Sequence, residues 1–187
     1  MDLNAAPRLV GESIILRSQR RRDVSHRASL GRRREIVRAM GGDITTDLSM
    51  TRSAARRQLN RRFGSGPHWV IADLQDDFLG LVRLSPIDTQ TRMADFAIAI
   101  FDPRRLGQGL GTEATQLAIG YGFAHLELER INLKVLANNY RAIAAYEKAG
   151  FVVERRIVRS LQRDGRNYDD LVMTITADGL TSYTVER

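Results

Sequence analysis

Residues 96–114 read Phe-Ala-Ile-Ala-Ile-Phe-Asp-Pro-Arg-Arg-Leu-Gly-Gln-Gly-Leu-Gly-Thr-Glu-Ala, and this segment gives the strongest indication of the fold. An apolar run ends at Asp102-Pro103, and glycines at the alternate positions 107, 109 and 111 precede a helix-like segment. Glycine lets backbone N–H groups approach a ligand closely, and a helix N-terminus adds unpaired donors and the positive end of its dipole. Such an arrangement binds phosphate oxygens, so the sequence predicts a phosphorylated ligand held between a strand and a helix.

The glycine spacing also has other interpretations. A P-loop needs a lysine followed by Ser or Thr after its last glycine, and no such string is present in the chain. A dinucleotide-binding fingerprint formally matches residues 109–114. However, the next strand ends at Asn138-Asn139 instead of at an acidic residue, and too little chain follows for further parallel units. A simple tight turn that opens a helix remains an alternative.

The segments around this stretch predict a strand–helix–strand unit over residues 96–136. The helix after the loop places Ala114, Leu117, Ala118, Tyr121 and Leu128 on one face, whereas residues 131–135 alternate as a strand does. Two strands joined by such a crossover run parallel. Upstream, residues 68–74 and 78–84 are predicted strands around an Asp76-Asp77 turn, and 92–101 continues this antiparallel meander.

The two ends of the chain complete the predicted sheet. Residues 13–17 are a predicted strand, and candidate helices cover 22–30, 32–40 and 51–63, the last capped by Ser49 or Thr51. Asn138-Asn139 can cap a helix that ends at Gly150. Two further strands, 151–161 and 168–175, are joined through Asp164-Gly165. We therefore expect one α/β domain over residues 1–187, with a mixed, mostly antiparallel sheet, a central βαβ unit and flanking helices.

Composition narrows the classes of function. The 187 residues include no cysteine, which excludes disulfides and a cysteine nucleophile. No apolar run is long enough to cross a membrane, and the N-terminus lacks a secretory pattern, so we expect a cytoplasmic protein. The net charge of +7 comes almost entirely from arginine, with clusters at 20–22, 32–34, 56–57 and 61–62. These clusters either bind nucleic acid or, in 51–63, form a solvated helix face.

A second segment gives the glycine loop a specific context. Residues 139–151, Asn-Tyr-Arg-Ala-Ile-Ala-Ala-Tyr-Glu-Lys-Ala-Gly-Phe, resemble a segment of the GNAT superfamily of N-acetyltransferases, and residues 107–114 resemble its coenzyme A pyrophosphate loop. Residues 9–17 and Met40-Gly41 resemble the branch that contains ribosomal-protein N-terminal acetyltransferases and some polyamine acetyltransferases. The resemblance spans residues 9–176. It departs from the family at Leu106, where Gln or Arg is frequent, although Arg104 and Arg105 lie just upstream.

The resemblance implies acetyl-CoA as co-substrate and no metal. It places the pantetheine arm in a gap between the strands 92–101 and 131–136, with a strand N–H near Phe101 polarising the acetyl carbonyl. Asn139 would hydrogen-bond the arm. The full set of expected cofactor-binding residues is Ile98, Ile100, Phe101, Leu106, Gly107, Gln108, Gly109, Leu110, Gly111, Thr112, Asn139 and Tyr146.

Two residues are the expected catalytic groups. Tyr146 corresponds to the family's tyrosine and would protonate the leaving thiolate, although its position on an apolar helix face also allows a purely packing role. Asp95 is the candidate base, with His68 and His125 as alternatives and deprotonation by water as another. Because no cysteine is available, we expect direct attack of the amine in a ternary complex.

The leading hypothesis is therefore an N-acetyltransferase acting on a primary amine, either a protein N-terminus or a small molecule. The alternatives are a basic module that binds RNA or the ribosome and a catalytically silent protein that binds acetyl-CoA. The resemblance also allows a homodimer and ribosome association. The identity of the acceptor is not readable from the sequence.

Overall fold

The computed structural model describes residues 3–43, 49–163 and 165–181, the side chains of 180 and 181 excepted. One eight-stranded sheet has the order β1-β2-β3-β4-β5-β6-β8-β7. The strands are β1 Leu9–Val10, β2 Ile14–Arg17, β3 His68–Asp73, β4 Phe78–Asp88, β5 Met93–Ile100, β6 Arg130–Leu136, β7 Val152–Arg163 and β8 Arg166–Thr176. The helices are α1 Arg21–Leu30, α2 Arg34–Ala39, α3 Arg52–Asn60, α4 Leu110–His125, α5 Tyr140–Lys148 and α6 Ala177–Thr181.

The central strand–helix–strand unit confirms the predicted fold class. β5 and β6 run parallel and are connected through α4, whereas the other neighbouring strands pair antiparallel. The parallel pairing covers only Met93–Asp95 against Arg130–Asn132. Beyond Asp95 the two strands are no longer paired, so a gap opens in the middle of the sheet, where the sequence analysis expected it.

Helix α4 fixes the geometry around this gap. Its buried side includes Ala114, Ala118 and Ile119, which lie in the main hydrophobic core with the inner side chains of β4 and β5. At Gly122 an added Cβ would lie 2.9 Å from Leu84 Cδ1, so glycine permits close approach of the helix to the sheet. The helix ends at His125, and Leu128 of the predicted helical face is buried beyond the helix.

The opposite face of the sheet carries α1 and α3. Their buried side chains form a second core that includes Val24, Ala55, Leu59, Phe78 and Phe101. The Thr51 side chain caps α3 by accepting a hydrogen bond from Ala54 N at 3.1 Å, as predicted. The helix stops at Asn60, whereas the sequence predicted 51–63, because Arg61 takes an extended conformation. Residues 61–63 therefore belong to the connection that leads to β3.

Further differences from the prediction are small. The two-residue strand β1 was missed, and it pairs with β2 at the edge of the sheet. Asp164 of the predicted β7–β8 turn lies outside the described residues.

Among the described helices, none is long and apolar enough to cross a membrane. Helix α1 is held to β2 by a buried ion pair, in which Arg17 Nη1 lies 2.8 Å from Asp23 Oδ2.

Candidate functional site

Two cavities meet at the gap in the sheet. One, of about 330 Å³, is lined by the end of β5, the glycine loop, α5 and the end of α2, and we call it the loop cavity. The other, of about 400 Å³, lies beside the segment 61–63 and strands β3 and β4, and we call it the arginine cavity. Met40, Ile98 and Ala99 line both, so the two cavities are contiguous. A molecule in one can therefore contact a molecule in the other.

The glycines shape the wall of the loop cavity. Gly107 and Gly109 have φ values of 77° and 81°, in the left-handed region that favours glycine. A Cβ added at either residue would have no atom within 4 Å, so the space above them is open. Gly109 is also the N-cap of α4, and the chain passes directly from the glycine loop into the helix.

The backbone donors of this loop are free. From Gly107 to Thr112, none of the six N–H groups donates a hydrogen bond to another described residue. The Leu106 N–H donates to the Pro103 carbonyl at 3.2 Å, so the expected set of donors begins one residue later than predicted. The Gln108 side chain donates to the Arg104 carbonyl at 2.8 Å, and the Leu110 side chain is buried in the core. These two residues thus contribute only backbone to the loop cavity.

Two neighbouring arginines differ in their role. Arg104 pairs with Asp102 at 2.8 Å and is 84% exposed. Arg105 lines the loop cavity, where Nη2 contacts Asp73 at 3.2 Å and the buried Nε has no described partner. Arg105 thus places a guanidinium on the wall of the loop cavity, where its positive charge favours an anionic ligand.

The backbone of β5 presents donors to the gap at alternate residues. The Phe101 N–H donates to the Leu79 carbonyl on β4 at 2.9 Å, so it is not available as the expected oxyanion donor. In an antiparallel pair, residues alternate between bonding to the partner strand and pointing away from it. Ile98 and Ile100 therefore direct their N–H groups towards the gap, and they are the candidate donors near Phe101.

Tyr146 lies at the inner end of the loop cavity. Its ring packs edge-on against Phe96 and Phe151, with centroids 6.1 and 6.0 Å away. Burial raises the pKa of Tyr146 to about 12, so the phenol stays protonated at neutral pH. Its hydroxyl makes no hydrogen bond to another described residue. Packing and proton donation are therefore compatible roles for this side chain.

Asn139 links two helices beside the loop cavity. Its side-chain oxygen accepts a hydrogen bond from Ala142 N at 3.3 Å and caps α5, as predicted. Its Nδ2 donates to the Ala39 carbonyl at the end of α2, at 3.0 Å. The side chain thus fixes the position of α5, and one hydrogen of Nδ2 remains for a ligand.

Stacked side chains line the arginine cavity. The Phe63 ring stacks on His68 with centroids 6.1 Å apart, and the guanidinium groups of Arg61 and Arg83 lie 4.6 and 4.2 Å from its centroid. His68 Nε2 lies 2.9 Å from Ser85 Oγ. Burial lowers the pKa of His68 to about 4, assisted by the positive charges of Arg62 and Arg83. The imidazole is therefore neutral at neutral pH and a weak base.

The other candidate bases lie elsewhere. Asp95 is exposed on β5 and lines an adjoining cavity, which shares Arg83 and Ala97 with the arginine cavity. His125 lies in the last turn of α4 against Tyr121, and it lines none of these cavities. Only His68 among the three thus lines the arginine cavity itself. Among the described residues, no cluster of His, Asp and Glu could hold a metal ion.

Comparison with protein families gives a match to the family described as Acetyltransferase (GNAT) domain, over residues 13–152. Among curated proteins, spermidine N(1)-acetyltransferase of Vibrio cholerae is 36% identical over 101 residues, which cover 54% of this chain and 58% of that protein. The enzyme of the same name from Escherichia coli K12 is 35% identical over 118 residues, covering 63% and 59%. The matched region thus spans less than two thirds of the length of these relatives.

Solved structures extend the likeness over most of the chain. Spermidine N-acetyltransferase from Vibrio cholerae in complex with CoA and spermine superposes with a TM-score of 0.72 and 26% identity, covering 90% of this chain and 98% of that chain. A GNAT-family acetyltransferase from Bacillus anthracis gives a TM-score of 0.77, covering 92% and 99%, but at 16% identity it supports the fold alone.

Proposed function

The chain belongs to the GNAT family of acetyltransferases, and on this premise we propose that it transfers the acetyl group of acetyl-CoA to the primary amine of a small molecule. The observation that carries the proposal is the row of free N–H groups from Gly107 to Thr112, which borders a gap in the sheet. The gap leads into a second cavity. A donor molecule and an acceptor molecule can thus occupy neighbouring sites.

The loop cavity fits the diphosphate of acetyl-CoA. The N–H groups of residues 107–112 stand at the positive end of the α4 dipole, and Arg105 adds a buried Nε without a described partner. The open space above Gly107 and Gly109 leaves room for phosphate oxygens. From there the gap between β5 and β6 continues towards Tyr146, where Ile98 and Ile100 present backbone groups that can pair with an amide-containing arm.

When bound, acetyl-CoA supplies an acetyl thioester for the amine to attack. The N–H of Ile98 or Ile100 would stabilise negative charge on the acetyl oxygen. The new N–C bond forms as the C–S bond breaks, and Tyr146 gives its phenolic proton to the departing sulfur, which holds the electron pair. The attacking nitrogen loses one proton as the amide forms, and a proton from solvent restores the phenol.

The amine proton has three candidate acceptors: His68, Asp95 and water. His68 lines the arginine cavity, but with its pKa lowered to about 4 it is a poor acceptor at neutral pH. Asp95 stays a candidate from the adjoining cavity, and water can take the proton of an exposed amine. No cysteine is present to form an acetyl-enzyme thioester, and we expect direct attack in a ternary complex.

A small acceptor fits better than the alternatives. The arginine cavity has the volume of a small-molecule site, and the curated relatives are named for spermidine, a small amine. No comparison supports a protein N-terminus, RNA or ribosome partner, and two arginines of the first cluster, Arg20 and Arg22, pair with Asp76.

We take residues 1–187 as one domain with its core at 9–176. A homodimer stays a prediction.

Calorimetry and a thiol-release assay test this function together. We expect acetyl-CoA to bind saturably and to release free thiol only when an amine acceptor is present. The acetyl thioester of N-acetylcysteamine, which lacks the nucleotide diphosphate, is the matched control ligand and should bind far more weakly. If millimolar acetyl-CoA does not bind, or binds no better than this control, the proposal is wrong.

A further inference from the structure

The lining of the arginine cavity has one sign of charge. Its charged side chains are Arg61, Arg62 and Arg83, and no Asp or Glu of the described chain lines it. The remaining lining is apolar, amide, hydroxyl or neutral imidazole. Walls of one sign in a concave site raise the local concentration of a ligand of the opposite sign. The cavity is thus suited to an anionic ligand.

The described part of the chain gives these three arginines no carboxylate partner. Arg83 bonds to the carbonyl and hydroxyl oxygens of Ser85, and Arg62 Nη1 lies 3.4 Å from the Leu59 carbonyl. Arg61 and Arg83 both lie over the Phe63 ring. Within the described residues, no carboxylate lies within ion-pair distance of any of the three.

Other arginines of the chain show the contrast. Several of them have a carboxylate within 4 Å among the described residues: Arg17, Arg20, Arg22, Arg92, Arg104, Arg105, Arg130, Arg141 and Arg156. Arg61, Arg62 and Arg83 differ from these arginines because they line one cavity together and have no carboxylate partner among the described residues.

Nearby groups do not cancel this charge. Burial lowers the pKa of Arg83, and Asp95 is near enough to oppose this shift, but Asp95 lies in the adjoining cavity. Burial and the charges of Arg62 and Arg83 lower the pKa of His68, which indicates a positive potential at this point. Three guanidinium groups line the cavity and one carboxylate lies nearby, so the net charge at this site is positive.

We propose, resting on the proposed function, that the acceptor amine carries an anionic group, a carboxylate or a phosphate, which binds to Arg83 and Arg61 beside Phe63. Arginine binds both groups through paired N–H donors. The amine would lie at the opening shared with the loop cavity, near Ile98 and Ala99. A polyamine such as the spermidine of the curated relatives' names would place further positive charge against these arginines, so this chain should discriminate against it.

The register of the sheet sets the length of the acceptor. Arg83 lies opposite Ala97, and Ile100 follows three residues further along β5. At about 3.4 Å per residue this separation is on the order of 10 Å, and the Arg83 guanidinium, which bonds to Ser85, lies on the far side of Arg83 from Ile100. The amine and the anion must therefore be joined by a flexible chain, which makes ω-amino acids suitable probes.

The test compares probes of equal length with different ends. γ-Aminobutyrate, n-butylamine and putrescine have the same four-carbon chain with an anionic, neutral or cationic end, and aminopropylphosphonate supplies the phosphate arm. Binding to the CoA-loaded protein is measured by calorimetry, and acetylation by thiol release with acetyl-CoA. We expect an anionic probe to bind at least about tenfold more tightly than putrescine. Equal or tighter binding of putrescine, or no binding of either anionic probe, would overturn the inference.

Three variants assign the effect to the cavity. Arg83→Gln and the exposed Arg61→Glu should each reduce the preference for the anionic probe by about tenfold. Arg57→Gln removes an exposed positive charge of α3 that lines neither cavity and should leave the preference unchanged. Since Arg61 lies on the surface, its variant keeps the test valid if Arg83→Gln fails to fold. An equal loss in Arg57→Gln would attribute the preference to net charge and contradict the inference.

The two proposals fail in different ways. If anionic probes bind selectively but none is acetylated while acetyl-CoA is bound, the inference on ligand charge stands and acetyl transfer is wrong. If putrescine is acetylated better than γ-aminobutyrate, acetyl transfer stands and the inference is wrong. If the inference holds, comparing aminopropylphosphonate with γ-aminobutyrate shows which anion the arginines prefer.

Discussion

The loop cavity and the arginine cavity meet at Ile98 but recognise ligands with different parts of the chain. The loop cavity presents backbone N–H groups from consecutive residues, Gly107 to Thr112. The arginine cavity presents side chains that three separate segments bring together: the connection after α3, strand β3 and strand β4. Backbone recognition tolerates changes of side chain, whereas side-chain recognition can change with single substitutions. The fold can therefore keep one donor and vary its acceptor.

The largest predicted effect is on kcat and concerns Tyr146, because this residue lies in the loop cavity but acts through its side chain. Tyr146→Phe keeps the ring between Phe96 and Phe151 but removes the proton donor. We expect kcat to fall by about 100-fold, in the range of general acid catalysis. The dissociation constant of acetyl-CoA should stay within about twofold, because the backbone donors are intact. Steady-state kinetics and calorimetry separate the two quantities.

Tyr121→Phe provides the matched control. Tyr121 lies on α4 against Trp69, with ring centroids 5.6 Å apart, and lines neither cavity. Its variant should have unchanged kcat. A Tyr146→Phe protein with the wild-type turnover number would assign Tyr146 to packing alone.

Substitutions in the glycine loop test whether recognition there is by backbone. Gly109→Val puts a β-branched residue at φ 81°, which is strained by about 1–2 kcal/mol, and fills open space above the loop. We expect acetyl-CoA affinity to fall by about tenfold. Gln108→Ala removes a side chain that folds back onto the Arg104 carbonyl, and calorimetry should find acetyl-CoA affinity within about twofold of the wild type. A larger loss in Gln108→Ala than in Gly109→Val would contradict backbone recognition.

The same division explains what the sequence could predict. The glycine loop, the Asn139 cap and the parallel strand–helix–strand unit depend on neighbouring residues, and spacing alone located them correctly. The strand donor expected near Phe101 could not be assigned to one residue from the sequence, because the direction of an N–H depends on pairing with β4, a tertiary contact. The arginine cavity was missed because its side chains come from separate segments of the sequence and meet only in the folded structure: Arg61, Phe63, His68 and Arg83. The sequence analysis named His68 of this group, but only as an alternative base.

The predicted helix at 51–63 shows how this signal was hidden. Counting residues 61–63 as helix placed Arg61 and Arg62 on a solvated helix face, together with Arg56 and Arg57. The helix ends at Asn60, so the chain turns Arg61, Arg62 and Phe63 towards β3 and β4. An error of three residues at one helix end therefore changed the expected function of the whole cluster.

The smallest predicted effect is a pH dependence of stability that arises in the arginine cavity. The pKa of His68 is about 4 in the folded protein and about 6.5 in the unfolded chain. Below pH 6.5 the unfolded chain therefore binds a proton that the folded protein does not, so stability falls as the pH falls towards 4. Allowing for partial exposure of the imidazole, the loss between about pH 7 and pH 5.5 is on the order of 1 kcal/mol. His68→Gln lacks this proton-binding site but keeps His26 and His125, so urea unfolding at both pH values should show a smaller loss in the variant. Equal losses in both proteins would mean that burial and the neighbouring arginines do not lower the pKa of His68 in the folded protein.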